Sequence, residues 1–111
     1  MIAGFIVQGN AQKKVYVRAL GPSLNSNSSV QGELADPTLE LYDRDGAVIG
    51  ANNDWVDSPQ YAEIIATRMP PPDRRESAIV ASLPPGNFSA IVRGANITQG
   101  IGLVEVYDLD P

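Results

Sequence analysis

An all-β fold, an antiparallel β-sandwich of jelly-roll type with one short helix near residues 59–67, is predicted by three features of the chain. Strand-like runs, about seven of them, recur at close spacing with turn residues between them. Nine Pro and ten Gly punctuate the chain often, yet 43% of its 111 residues are apolar, enough for a buried core. Residues 76–94 (ESAIVASLPPGNFSAIVRG) hold two runs of β-branched and small apolar residues on either side of a Pro-Pro-Gly-Asn turn, the pattern of an antiparallel hairpin. This length suits one domain, a single module over residues 1–111.

The elements follow in order. Residues 3–8 (AGFIVQ) are a compact apolar strand closed by Gly9 and Asn10, with no local partner before it. The GNAQKK stretch then reads as a hairpin turn into a second strand at 14–20, which places Val15, Val17 and Ala19 on one face and Tyr16, Arg18 and Leu20 on the other. Residues 25–31 (NSNSSVQ) favour turns and local side-chain hydrogen bonds, so a surface loop is expected there. A strand at 38–42 points Leu39 and Leu41 one way and Glu40 and Tyr42 the other, and the DRDG turn at 43–46 folds it back onto residues 47–50.

The helix is expected over 58–67, with Ser58 as its N-cap, Pro59 at its first position, and Tyr61, Ile64 and Ile65 on one side. Three prolines at 70–72 stop it. The hairpin at 76–94 follows, then a turn over 94–100 and a last strand over 100–107. The inward stripe is read as Leu39, Leu41, Val80, Val92, Val104 and Val106.

Composition narrows function. Eight basic against thirteen acidic residues leave a net charge of −5, and the cations are scattered apart from two short doublets, so no nucleic-acid partner is expected. The absence of cysteine and histidine removes disulfides, thiol catalysis, Cys/His zinc sites and the commonest general base. A Ser-His-Asp arrangement is excluded, and neither a G-x-S-x-G elbow nor an S-x-x-K motif occurs. No apolar run reaches the roughly 20 residues of a membrane helix, and the first residues lack the basic n-region and long h-region of a signal peptide, so a chain that is cytoplasmic, already processed or cut from something longer is expected. Hence no membrane partner is expected.

Four groups of residues are candidates for chemistry. Asp43, Asp45, Asp54 and Asp57 lie in turns and present the carboxylates a calcium ion wants, although the spacing of an EF-hand loop is missing; turn-capping aspartates are the competing reading. Calcium is the one candidate cofactor. Trp55 and Tyr61, with Tyr42 and Tyr107, offer aromatic faces to a polysaccharide, against the ordinary alternative of core packing. Arg18, Arg93, Glu40 and Glu105 each sit mid-strand and are read as cross-strand ion pairs. Taking Glu40 and Glu105 as a glycosidase pair would need both in one cleft, with one carboxyl held protonated. Matches to the glycosylation sequon begin at Asn27, Asn87 and Asn96, at a frequency that an Asn/Ser-rich chain reaches by chance.

Taken together, VRALGPSL at 17–24, LADPTLELYDRDGAVI at 34–49, NNDW at 52–55, the 76–94 stretch and GLVEVYDLD at 102–110 resemble a repeated module of large bacterial secreted proteins. More loosely, the order of strand, Asp-Gly turn, strand, NNDW and PPGNFSAIVRG is similar to bacterial pre-peptidase C-terminal domains. The resemblance implies export, tandem arrangement and no established catalytic chemistry. It also implies that the chain starts inside a repeat, so that Met1 need not be an initiator. The expectation is therefore an extracellular or cell-surface, non-enzymatic structural or adhesive module. Its partners would be copies of itself or neighbouring repeats, met by strand addition through Ile2, Ala3, Gly4, Phe5, Ile6 and Val7 to give a filament or a dimer. The rival is an accessory carbohydrate- or calcium-binding domain of a secreted hydrolase.

Overall fold

The computed structural model describes residues 1–27 and 32–110. Seven strands, β1 (Ile2–Val7), β2 (Lys13–Leu20), β3 (Pro37–Tyr42), β4 (Val48–Asn52), β5 (Ser77–Leu83), β6 (Gly86–Gly94) and β7 (Leu103–Asp108), form two antiparallel sheets. One sheet runs β1-β6-β3-β4 and the other β5-β2-β7. The fold is an all-β sandwich. Two short helices, α1 (Pro22–Asn27) and α2 (Tyr61–Ala66), and two 3₁₀ turns complete it.

Period-two alternation decides what each strand buries. Val15, Val17 and Ala19 of β2, Leu39 and Leu41 of β3, Ile79 and Leu83 of β5, and Phe88, Ala90 and Val92 of β6 meet between the sheets as one apolar cluster. The opposite face of the three-stranded sheet builds a second cluster, in which Tyr16, Ala78 and Val80 pack against Trp55 and Ile64. The helical segment thus forms a third layer. It also caps β5: the Gln60 amide donates from Nε2 to the Val80 carbonyl at 2.7 Å and accepts the Val80 N–H at 3.0 Å, while Asn52 Oδ1 accepts the Ala78 N–H at 3.0 Å.

Several expectations are corrected. The segments flanking Pro84 and Pro85 are not a hairpin: β5 pairs with β2, and β6 pairs with β1 and β3. The prolines lack the N–H groups that a closing ladder needs. Instead the chain crosses from one sheet to the other, so that Leu83 and Phe88 both reach the core. The GNAQKK stretch likewise joins different sheets, because β1 pairs with β6 along its whole length. Val7 and Val15 face each other through the core rather than lying side by side. Of the connections between strands, only that from β3 to β4 joins sheet neighbours; Gly46 adopts φ +82° in its turn, and the register shifts by a bulge at Leu41 and Tyr42.

Side-chain placement also differs in places. Val80 is buried in the second cluster rather than between the sheets, and Val106 is 39% exposed because β7 is an edge strand. The helix is shorter than expected. Gln60 is its N-cap, and Ser58 instead accepts the Gln60 N–H on its hydroxyl at 3.0 Å in the preceding turn. Ile64 is buried, but Tyr61 and Ile65 are 45% and 43% exposed. Helix α1 takes up the first part of the loop expected over 25–31, whose remainder lies outside the described residues, as do the residues following Asn27 in its sequon.

Candidate functional site

The edge strands β1 of the four-stranded sheet and β5 of the three-stranded one frame the question of what this molecule can bind. Strand β1 is an edge, held by β6 on one side only. Its partnership with β6 answers the expectation of a strand without a partner: the chain supplies one, far off in sequence. Among the described residues none pairs with the outer edge of β1. The segment Ile2–Val7 carries no charge and no proline, and it keeps an unbroken register, so it lacks the features that normally blunt an edge. Edge strand β5, in contrast, is capped by Gln60 and Asn52.

Apolar side chains are exposed at this edge, as Val48 and Ile49 are at the opposite one in β4. Ile2 and Ile6 of β1 are 70% and 65% exposed. Between β1 and edge strand β7 the sandwich opens into a groove of about 690 Å³, lined among others by Phe5, Ile6, Val7, Val15 and Val106. Met1, Ile97, Ile101 and Leu103 are exposed as well, Ile97 almost completely and with a positive φ of 59° that a β-branched side chain rarely adopts.

The mid-strand charges come together in pairs. Arg18 and Glu105 are direct cross-strand partners of β2 and β7, with Nε 2.7 Å from Oε1. Around them Arg18 donates to the Met69 carbonyl at 3.0 Å and to the Tyr107 hydroxyl at 3.3 Å, and Tyr107 donates to Glu105 Oε2 at 2.9 Å. Tyr16 donates to the same Met69 carbonyl at 2.8 Å, and burial pushes its hydroxyl up to about 12. This network ties the end of the helical segment to the sheet. Arg93 and Glu40 pair diagonally across β6 and β3 on the outer face of the other sheet, where Arg93 lies directly opposite Thr38 and Glu40 opposite Ile91.

The four aspartates considered for calcium do not converge. Asp43 and Asp45 belong to the turn between β3 and β4, where Asp43 Oδ1 accepts the N–H groups of Asp45 and Ala47 at 2.9 and 3.0 Å. Asp54 precedes the 3₁₀ turn that contains Asp57. Among the described residues no group of three or more acidic, His or Cys side chains is placed to hold a metal. Trp55 is 8% exposed; it stacks on Tyr61 with ring centroids 5.3 Å apart and donates from Nε1 to the Asp73 carbonyl at 3.1 Å. Of this stacked pair, Tyr61 is the exposed member, at 45%.

Two acidic groups carry more of the structure than their sequence context suggests. Glu76 is completely buried, and its carboxylate accepts from Gly21 N–H at 2.7 Å, from Ser23 N–H and hydroxyl, and from Asp73 N–H at 3.0 Å. Asp36 lies within hydrogen-bonding reach of Asp54, and Oδ1 of each is shielded from solvent with no donor among the described residues. Burial, reinforced by the Asp54 charge, pushes the Asp36 carboxyl above the usual range. A glutamate opening an apolar strand is the only sequence signal for the first; nothing local signals the second.

No helix among the described residues is long and apolar enough to cross a membrane. Comparison with known proteins gives no match, whether to protein-family models, to curated proteins or to solved structures.

Proposed function

We propose that this chain is a non-enzymatic structural module of an extracellular assembly, and that it associates with copies of itself by strand addition at β1. The observation that carries the reading is the contrast between two edge strands: in β5 the outward N–H and C=O of Val80 are taken by Gln60 and the N–H of Ala78 by Asn52, whereas among the described residues none pairs with the outward backbone groups of β1, where Ile2 and Ile6 are exposed. An open, uncharged edge with apolar flanks is a template for another strand. The extracellular setting rests on the resemblance to secreted repeat modules.

Against catalysis stand the lack of His and Cys and the separation of the two mid-strand glutamates. Glu40 and Glu105 pair with arginines on the outer faces of different sheets, so they share no cleft. The rival, a polysaccharide-holding module, is weakened by the burial of Trp55.

Sedimentation velocity over a concentration series, with negative-stain microscopy, tests the proposal. Concentration-dependent oligomers are expected, and their loss in Ile6→Lys, which places a charge at an exposed edge position, would support β1 as the contact. A chain that stays monomeric throughout, or oligomers unaffected by the substitution, would overturn it.

A further inference from the structure

The backbone parity of β1 specifies how a second copy meets it. The Val92 N–H donates to the Met1 carbonyl at 2.9 Å, and the Met1 amino group donates to the Val92 carbonyl at 3.1 Å, so Met1 and Val92 are a hydrogen-bonded pair. The register continues without a shift through Ile2 opposite Ile91 to Val7 opposite Gly86. In an antiparallel ladder, hydrogen-bonded and non-hydrogen-bonded pairs alternate. Ala3, Phe5 and Val7 therefore direct their backbone groups at β6, while Ile2, Gly4 and Ile6 direct theirs at the open edge.

We infer that β1 pairs antiparallel with β1 of a second copy about a two-fold axis at Gly4, joining the two four-stranded sheets into one. This deepens the self-association reading and rests on it. With the axis at Gly4, Gly4 meets its own counterpart, Ile2 meets Ile6 of the second copy, and every outward N–H and C=O of β1 finds a partner. Registers with an odd offset would set outward groups against inward ones. An axis at Phe5 would place the two Phe5 rings opposite each other and match Ile2 with Gln8, beyond the strand.

Side chains support the same register. Ala3 comes opposite Phe5 of the second copy, small against large on the inner face, and Ile2 covers Ile6 on the outer face, where both are now largely exposed. A two-fold contact brings like groups together near its axis, so a charged strand would repel itself. Residues 2–8 carry no charge. The contact is isologous and closes as a dimer, which distinguishes it from head-to-tail donation of the strand.

The chain has no cysteine, so crosslinking reads the register directly. Hydrogen-bonded partners lie roughly 5.5 Å apart between Cα atoms, within disulfide range. Ile2→Cys and Ile6→Cys, each at an exposed position, are prepared singly, checked for a native melting transition, and oxidised alone and mixed, with sedimentation of the unmodified chain in parallel. Covalent dimer in the mixture but in neither variant alone is the expected result. Association without that pattern, including either variant crosslinking to itself as readily as in the mixture, would overturn this register and leave self-association standing. A monomer without crosslinks would overturn both. Ile2→Lys/Ile6→Lys, which sets Lys opposite Lys across the axis, is expected to abolish the dimer, and a dimer that survives it would also overturn the register.

Discussion

The Glu76 carboxylate accepts the Ser23 hydroxyl at 2.6 Å, from a side chain with no solvent exposure, and so fastens the start of β5 to the first turn of α1. The same oxygen takes the N–H groups of Gly21 and Ser23, and the other carboxylate oxygen takes that of Asp73. Glu76→Ala would leave these donors buried and unsatisfied, and should destabilise the protein by on the order of 3 kcal/mol or more. Glu76→Gln keeps the shape but turns an NH₂ towards donors, so an intermediate loss is expected. Urea midpoints for the three proteins check the order.

At Asp36 two carboxylates face each other, and among the described residues Oδ1 of each is buried without a donor. A carboxyl whose folded-state pKa is raised binds its proton more tightly in the native state, so its ionisation opposes folding as pH rises above the usual carboxylate range. Asp36→Asn supplies an NH₂ to Asp54 and removes the repulsion. It should raise stability near neutral pH by about 1 kcal/mol and shrink the difference between about pH 3, below the usual carboxylate range, and about pH 7. An unchanged melting temperature at both pH values would count against a strained pair.

Tyr16 provides an alkaline counterpart. Its hydroxyl is raised to about 12 by burial, against 10.0 for the unperturbed group. Below the lower value both folded and unfolded chains keep the proton and pH has no effect through this residue. Between the two, the unfolded chain ionises first, so stability falls as pH rises through that window. Tyr16→Phe should lose about 1 kcal/mol at neutral pH with its bond to the Met69 carbonyl, and should flatten the alkaline decline. Thermal melts from pH 8 to about 12 compare the two.

The inner stripe separates centre from edge. Leu41 is completely buried in central strand β3, and Leu41→Ala should cost about 2–5 kcal/mol. Val106 has the inward parity in β7 but borders the open groove, and Val106→Ala should cost less than about 1 kcal/mol. Equal losses would mean that the groove is closed in solution, as a strand seated along β7 would make it.

How much of this was legible before folding depends on the range of each interaction. The alternation in β2 named Val15, Val17 and Ala19 as one face and Tyr16 and Arg18 as the other, because a pleat inverts every residue whatever lies beside it. The hairpin of β3 and β4 was legible because its Asp-Gly turn is complete within four residues. Charges set mid-strand in β2, β3, β6 and β7 pointed to partners across the sheets, and the structure brings Arg18 to Glu105 and Arg93 to Glu40.

What the chain could not announce is which strand lies beside which. Periodicity says that a face is buried, not whether the neighbour across a turn is reached by hydrogen bonds in the same sheet or through side chains in the opposite one. Pro84 and Pro85, like the GNAQKK stretch, signal a reversal in both cases, and only the shared core filled by Leu83 and Phe88, or by Val7 and Val15, decides for a crossing between sheets. By the same reasoning Val80 and Val106 share an inward-looking pattern in sequence, yet one lies beneath the helical layer and the other at an open edge. The bonds of Glu76 to Gly21 and Ser23 and the pair of Asp36 with Asp54 belong to tertiary structure, since these partners are distant in sequence. The composition of β1 as an uncharged apolar strand was written in residues 2–7; that it ends as an edge, with Ile2, Gly4 and Ile6 turned outward, was settled by its pairing with β6, far along the chain at Gly86–Gly94.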